Sequence, residues 1–243
     1  MNKLTLGGHE KWRSVTLAVA VGVWAGAGAA QTAPSASEIA AYGGLHAAAF
    51  RGDTSAIATA TREGGSANDR AALAARDGNG RTPLHVATFA KQRAAIQALA
   101  KAGADLNALD RDRYDAVTIA SVADDEATLK LLLALGASAR QITSRYDGTA
   151  LIAAAHLGHD GVVRQLIAAG APIDHVNNLH WTALIEAIVL GNGGARHQAC
   201  VRALLDAGAS MRLADRQGVS PLQLARARGY EAMVAMLTHA GAK

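Results

Sequence analysis

One cysteine in 243 residues rules out a whole group of architectures. Cys200 has no partner for an intramolecular disulfide, and no cysteine-based metal cluster can form. Aromatic residues make up only 4% of the chain although 50% of it is hydrophobic, and alanine is abundant. A bulky globular core is therefore a poor fit, and small side chains suit closely stacked helices. There is also little excess charge. The formal net charge is +4, and it falls to +2 once Lys3, Glu10, Lys11 and Arg13 of the first thirty residues are set aside. That is too mild for a nucleic-acid-binding surface. Catalytic signatures are missing as well: there is no G-x-S-x-G, no P-loop, no G-x-G-x-x-G after a strand and no H-E-x-x-H.

A long apolar run is missing too. Val15 to Trp24 is the apolar stretch near the start, broken once at Gly22, and it is shorter than the ~20 residues a membrane span needs. Lys3, Lys11 and Arg13 precede it, and the small residues Ala25-Gly26-Ala27-Gly28-Ala29-Ala30 follow it. This is the pattern of a secretory signal peptide over residues 1–30, cleaved after Ala29 or Ala30. Residues 31–40, with Pro34, read as a short polar linker. Export of a disulfide-free chain leads to an expected periplasmic location, with full secretion as the alternative and no membrane insertion after cleavage.

What the chain does have is a repeat. Gly80-Arg81-Thr82-Pro83-Leu84-His85-Val86-Ala87 is a tight turn running into a helix. Thr82 can cap it, Pro83 suits its first position, and Leu84 and Ala87 begin an apolar stripe. The Thr82 position recurs at Asp115, Thr149, Thr182 and Ser220, at steps of 33, 34, 33 and 38 residues. A closing Gly-Ala recurs at Gly103, Gly136, Gly170, Gly208 and Gly241. A degenerate first copy begins at Gly44-Leu45-His46-Ala47-Ala48. These residues resemble the ankyrin-repeat family, whose pattern runs D-x-x-G-x-T-P-L-H-x-A and ends G-A-D-x-N. Asp77 to Ala87 with Gly103 to Asn107 match almost fully.

The resemblance implies an all-α solenoid of about six helix-turn-helix repeats with turn fingers. The repeats fall near 41–76, 77–109, 110–143, 144–176, 177–213 and 214–243. The first has glycines where Thr and Pro would stand and a longer exit loop from Ser66 to Arg76, as a terminal cap can. The fifth departs most. It opens with Trp181-Thr182-Ala183-Leu184-Ile185-Glu186-Ala187 and carries about five extra residues around Gly191-Asn192-Gly193-Gly194, read as loop because of the glycines. This resembles an exported bacterial ankyrin subfamily. His85 is expected to hydrogen-bond turn backbone, and His46 likewise.

The family places binding on a concave face made by the turn tips and the ends of the first helices. On that basis the candidate partner-binding residues are Arg81, Tyr114 and Trp181 on the turns, Phe89, Leu157 and Leu190 at the helix ends, and Glu186. Trp, Tyr and Arg are favoured binding anchors, and exposed apolar groups mark interfaces. Phe89 could equally pack between repeats. Glu186 stands where other repeats have Ala47, Val86, Ile119, Ala153 and Leu224. A buried carboxylate needs a partner. It either accepts hydrogen bonds from turn amides, His180 or Trp181, or faces a ligand. The leading expectation is a non-catalytic, monomeric protein-binding module without cofactor or metal, holding a protein or peptide in a protective, chaperone-like or immunity role. The alternative is a small-molecule or metal-dependent activity at the fifth-repeat loop, which requires His180, Glu186 and His197 to converge.

Overall fold

The structure, a computed structural model, describes residues 31–61 and 66–243; the expected signal peptide lies outside the described residues. Fourteen helices run through them: α1 (Ala36–Ala41), α2 (Gly44–Arg51), α3 (Thr54–Ala60), α4 (Ala67–Leu73), α5 (Pro83–Phe89), α6 (Arg93–Lys101), α7 (Ala116–Val122), α8 (Glu126–Ala134), α9 (Ala150–Leu157), α10 (Asp160–Ala168), α11 (Ala183–Val189), α12 (Ala195–Asp206), α13 (Pro221–Ala227) and α14 (Glu231–His239). They stack in two layers. The first helices α2, α5, α7, α9, α11 and α13 pack one on the next, and α3, α6, α8, α10, α12 and α14 pack in sequence behind them. No described helix is long and apolar enough to cross a membrane.

The spacing of leucines explains the stacking. Leu99, Leu132, Leu166, Leu204 and Leu237 occupy one position in successive second helices, and each is fully buried. Ala87, Ala120, Ala154, Ala187 and Ala225 form the matching buried row in the first helices, where a small side chain lets neighbours approach closely. Each unit packs against the next as well as within itself, so stability is shared between neighbours. The first helices, seven or eight residues each, would be marginal alone.

Turn chemistry sets the register of the fingers. At the base of four of them one side-chain oxygen accepts two backbone amides: Asp77 from Asn79 and Arg81, Asp110 from Asp112 and Tyr114, Asn177 from Leu179 and Trp181, Asp215 from Gln217 and Val219. The fourth finger has one more residue and closes instead through an isolated antiparallel bridge between Thr143 and Gly148. Consecutive fingers are tied edge to edge, Arg111 N–H to Asn79 O at 3.0 Å, Ser144 to Arg113 at 3.0 Å and Asn178 to Tyr146 at 3.0 Å. Gly80 carries φ +74°, and a Cβ there would lie 2.9 Å from the Arg111 amide nitrogen, so a larger residue would break the first of these ties.

Histidines stitch repeat to repeat, as expected for His85 and His46. His85 Nδ1 accepts from the Thr82 amide at 3.1 Å and Oγ1 at 2.8 Å, and its Nε2–H donates to Tyr114 O at 3.0 Å. His46 Nε2 bonds Arg81 O at 2.9 Å. Burial pushes the His85 pKa down to about 4, so the ring is neutral at physiological pH.

Three expectations need correction. The stretch read as linker folds: α1 begins with a capping box in which the Ser35 amide donates to Glu38. The exit loop of the first repeat contains α4, capped by Ser66 and anchored by buried Leu73. The fifth-repeat insertion is only partly loop. Its interhelical segment, 190–194, has five residues against three for 90–92, while α12 has twelve residues against nine in α6. Gly194 ends the loop as the N-cap, and the run Ala195-Arg196-His197-Gln198-Ala199, in which only His197 is a weak helix former, extends the helix by three.

Candidate functional site

The finger turns and the ends of the first helices supply the candidate residues, and the structure sorts them into three groups. The first is buried. Arg81 is 1% exposed and Tyr114 is 6% exposed, so neither offers its side chain to solvent as the sequence suggested. The Arg81 guanidinium donates from Nε to Asp77 Oδ2 at 2.8 Å and from Nη1 to Thr32 O at 3.1 Å, and pairs through Nη2 with Glu38. Its carbon Cζ lies 6.0 Å from the centre of the half-buried Phe89 ring, within cation–π range. Burial works against a charged Asp77, but hydrogen bonds from the Arg81 amide, Tyr42 and Asn79, with the guanidinium, hold its pKa below the ordinary value. For Tyr114, burial pushes the phenol up to about 12. Its backbone carbonyl is the acceptor for His85, which fixes the residue within the finger stack.

The second group surrounds Glu186, itself only 1% exposed. Its carboxylate is held by side chains rather than by turn amides, His180 or Trp181. Oε2 lies 3.1 Å from His156 Nδ1, and Oε1 accepts from Asn177 Nδ2 at 3.0 Å. Asn177 thereby serves two elements, since its Oδ1 also takes the Leu179 and Trp181 amides at the base of the fifth finger. The preceding repeat supplies His156 from the end of α9, and His197 Nε2 bonds the His156 carbonyl at 2.9 Å. The arrangement locks α9, α11, α12 and the fifth finger to one another. Sequence reasoning missed Asn177 and His156. A signal was available: Asn177 stands where the second, third and sixth repeats have Asp77, Asp110 and Asp215, and only the amide can donate to a neighbouring carboxylate.

The third group reaches the surface in part. Leu157, next to His156, is 38% exposed, and Trp181 and Leu190 are half-buried against the core. These three flank the Glu186 network: Leu190 N–H bonds Glu186 O at 3.0 Å and Trp181 is tied to Asn177. Ile142 and Val176 are also exposed, at 45% and 41%, each one residue before the base of its finger. Their shared register could have marked them in the sequence.

The glycine-rich loop of the fifth repeat is packed rather than open. Tyr230 of the sixth repeat donates from its hydroxyl to Gly191 O at 2.9 Å, and a Cβ on Gly193 would meet the Tyr230 ring at 2.6 Å. Arg196 reaches Asp124 at 2.8 Å and Asp160 at 3.3 Å, joining the third, fourth and fifth repeats. The convergence needed for metal-dependent chemistry does not occur. His197 is engaged with Asn192 and the His156 carbonyl, Glu186 with His156 and Asn177, and His180 is exposed. Among the described residues no group of three His, Cys, Asp or Glu side chains could hold a metal ion. Cys200 is buried, and burial pushes its thiol up to about 12, which leaves it unreactive at neutral pH.

A two-layer helical stack tied by fingers, with Thr, Ser or Asp at the helix starts of the second to sixth repeats and a bridging histidine, defines a repeat scaffold of the kind that generally binds other proteins and generally lacks catalysis of its own. The chain belongs to the ankyrin-repeat family. The family model for ankyrin repeats (three copies) matches residues 117–211 and that for a single ankyrin repeat matches 79–111. The chain is 38% identical over 167 residues to the ankyrin repeat protein YahD of Escherichia coli K12, covering 68% of this chain and 83% of that one. A crystal structure of an ankyrin repeat domain from Acinetobacter baumannii is 44% identical with a TM-score of 0.74, covering 82% of this chain and 98% of that domain. The ankyrin repeat domain of Bcl-3 is 28% identical with a TM-score of 0.71, covering 84% of this chain and 88% of that domain.

Proposed function

We propose that the chain is exported to the periplasm and there holds a segment of a partner protein on its concave face, without chemistry of its own. The observation that carries this reading is exposed Leu157 with half-buried Trp181 and Leu190, apolar side chains that reach the surface on a hydrogen-bonded base. Apolar side chains left at a surface whose supports are locked by hydrogen bonds are the usual make-up of an interface anchor. In this reading Trp181 is the anchor, Leu157 and Leu190 line its surroundings, and Phe89 extends the same face toward the second repeat. Glu186 acts as the brace that fixes the geometry of α9 and α11 beneath them. Protection or masking of an exported partner are the roles that fit such a module.

The test is co-purification from a periplasmic extract using the parent chain and Trp181→Ala. A partner retained by the parent and lost by the variant, with both folded by circular dichroism, supports the reading. Equal retention by both, or N-terminal sequencing of the cell-envelope form that still begins at Met1, would count against it.

A further inference from the structure

The second repeat has a buried guanidinium, that of Arg81, which an upstream segment of the chain covers. Residues 32–41 are held across Arg81 by polar contacts. Thr32 O and Glu38 take two arms of the guanidinium, Asn79 Nδ2 donates to Glu38, and Tyr42 Oη donates to Asp77 Oδ2 at 2.8 Å. The two sides of this contact are unlike. Arg81 is buried to 1% exposure, while α1, the helix that lies over it, has no buried residue at all. Gln31 Nε2, at the start of the covering segment, is buried with no hydrogen-bond partner, which counts against tight docking. Its apolar contact is limited to half-buried Pro34, Ile39 and, at its end, Tyr42, and a segment with no fully buried side chain opens locally at lower cost than a core helix.

Glu38 couples the fold of the segment to its docking. Its Oε2 accepts from the Ser35 amide and hydroxyl, both at 2.7 Å, and so starts α1; its Oε1 faces Arg81 and Asn79. A six-residue helix does not persist alone, so loss of the Arg81 contact melts α1. What remains is a guanidinium oriented by Asp77, lying over the Phe89 ring, with two of its arms released. That is a receptor for a carboxylate flanked by a backbone carbonyl.

We infer that residues 32–41 are a displaceable internal ligand, and that the subsite they cover, Arg81 with Asn79, Asp77 and Phe89, binds an acidic peptide segment of the partner in their place. This rests on the protein-binding reading above, extends it to the second repeat and names the chemistry recognised. The acidity of Glu38 agrees with it: hydrogen bonds from Ser35 first, and then the Arg81 charge, lower its pKa.

The test uses the full chain and a labelled synthetic peptide of residues 31–42, a probe that needs no knowledge of the partner. Glu38→Ala is expected to raise hydrogen exchange of residues 36–42 at least tenfold while leaving α9 and α11 unchanged, and to bind the peptide at least tenfold more tightly than the parent. Adding Arg81→Lys, which keeps the charge but not the planar fork, is expected to abolish that gain. Unchanged exchange in Glu38→Ala overturns the inference, as does a peptide that fails to bind it or binds both chains equally. Trp181→Ala leaves this titration unchanged, so failure here is distinguishable from failure of the fifth-repeat anchor.

Discussion

The second and fifth repeats meet the same problem with opposite layouts. Both carry one ion that the repeat pattern does not provide for. In the second repeat the charge is on the finger, at Arg81 with Asp77, above an apolar helix position, Val86. In the fifth the finger holds Asn177 and Trp181, and the charge has moved into the helix as Glu186. Each buried ion has one partner in its own repeat, Asp77 or Asn177, and one outside it: Arg81 pairs with Glu38 of the segment upstream and Glu186 with His156 of the preceding repeat. The difference is in what secures the partner. His156 belongs to a helix with five buried residues, whereas Glu38 belongs to a helix with none. On the inference above, a departure from the repeat pattern is rigid where a core helix supports it and exchangeable where the support is a helix with no fully buried side chain.

The largest expected effect tests whether the two repeats share one core. Leu99→Ala and Leu204→Ala remove the same fully buried position in the second and fifth repeats. Each is expected to lower stability by about 2–5 kcal/mol through lost burial and the cavity left, read as a shift of the denaturation midpoint. Values differing several-fold between the two would show that the repeats are not packed alike.

Next in size is the response to acid, which belongs to the second repeat through His85. Its folded pKa of about 4 lies below the ordinary 6.5, so the unfolded chain binds the proton first. Stability is then full above pH 6.5 and lost as pH falls toward 4, by on the order of 3 kcal/mol across the window. Chemical denaturation at pH 7 and pH 4.5 measures it, and His85→Asn should flatten the slope. The equivalent position in the fifth repeat is Ile185, which contributes nothing to it.

Asn177→Asp gives the fifth finger the residue found in the second. It preserves the acceptor for the Leu179 and Trp181 amides but removes the donor to Glu186 and sets two carboxylates together. A loss of about 1–3 kcal/mol is expected. Adding Glu186→Val, which copies Val86, should recover part of it, and the coupling in that double-mutant cycle measures how far the pair acts as a unit. The smallest global effect is that of Glu38→Ala. Its thermal midpoint should barely move, because the contact lies in a segment that opens locally.

Much of this fold was legible in the sequence because its period is carried by residues with few alternatives: a capping Thr, Ser or Asp, Pro83 and Pro221 at the first helical position, and glycine after the second helix of the second to sixth repeats. The site was less legible. Family position placed Arg81 on the binding face, but burial depends on residues 32–41, forty or more positions upstream, which read as linker because a six-residue helix held by one carboxylate leaves no periodic pattern. Tyr114 looked like an exposed anchor from its turn position, and edge-to-edge packing of fingers covered it. Glu186 was visible as an odd residue, yet its partners lie on another helix and at a finger base, and hydrogen bonding across repeats is not written in spacing. The glycines of the fifth-repeat insert signalled loop, while the following five residues carried enough helix propensity to lengthen α12.

Whether the open fifth repeat is where the partner is held comes down to one titration. Isothermal calorimetry of the recovered partner against the parent chain, Trp181→Ala and, as a control on the second-helix layer, Lys101→Ala measures it directly. Truncation of a central aromatic anchor costs about 2 kcal/mol or more, roughly thirtyfold in affinity. Trp181→Ala should therefore bind at least thirtyfold more weakly with its fold intact, while Lys101→Ala matches the parent. A folded Trp181→Ala that binds as tightly as the parent would contradict the assignment.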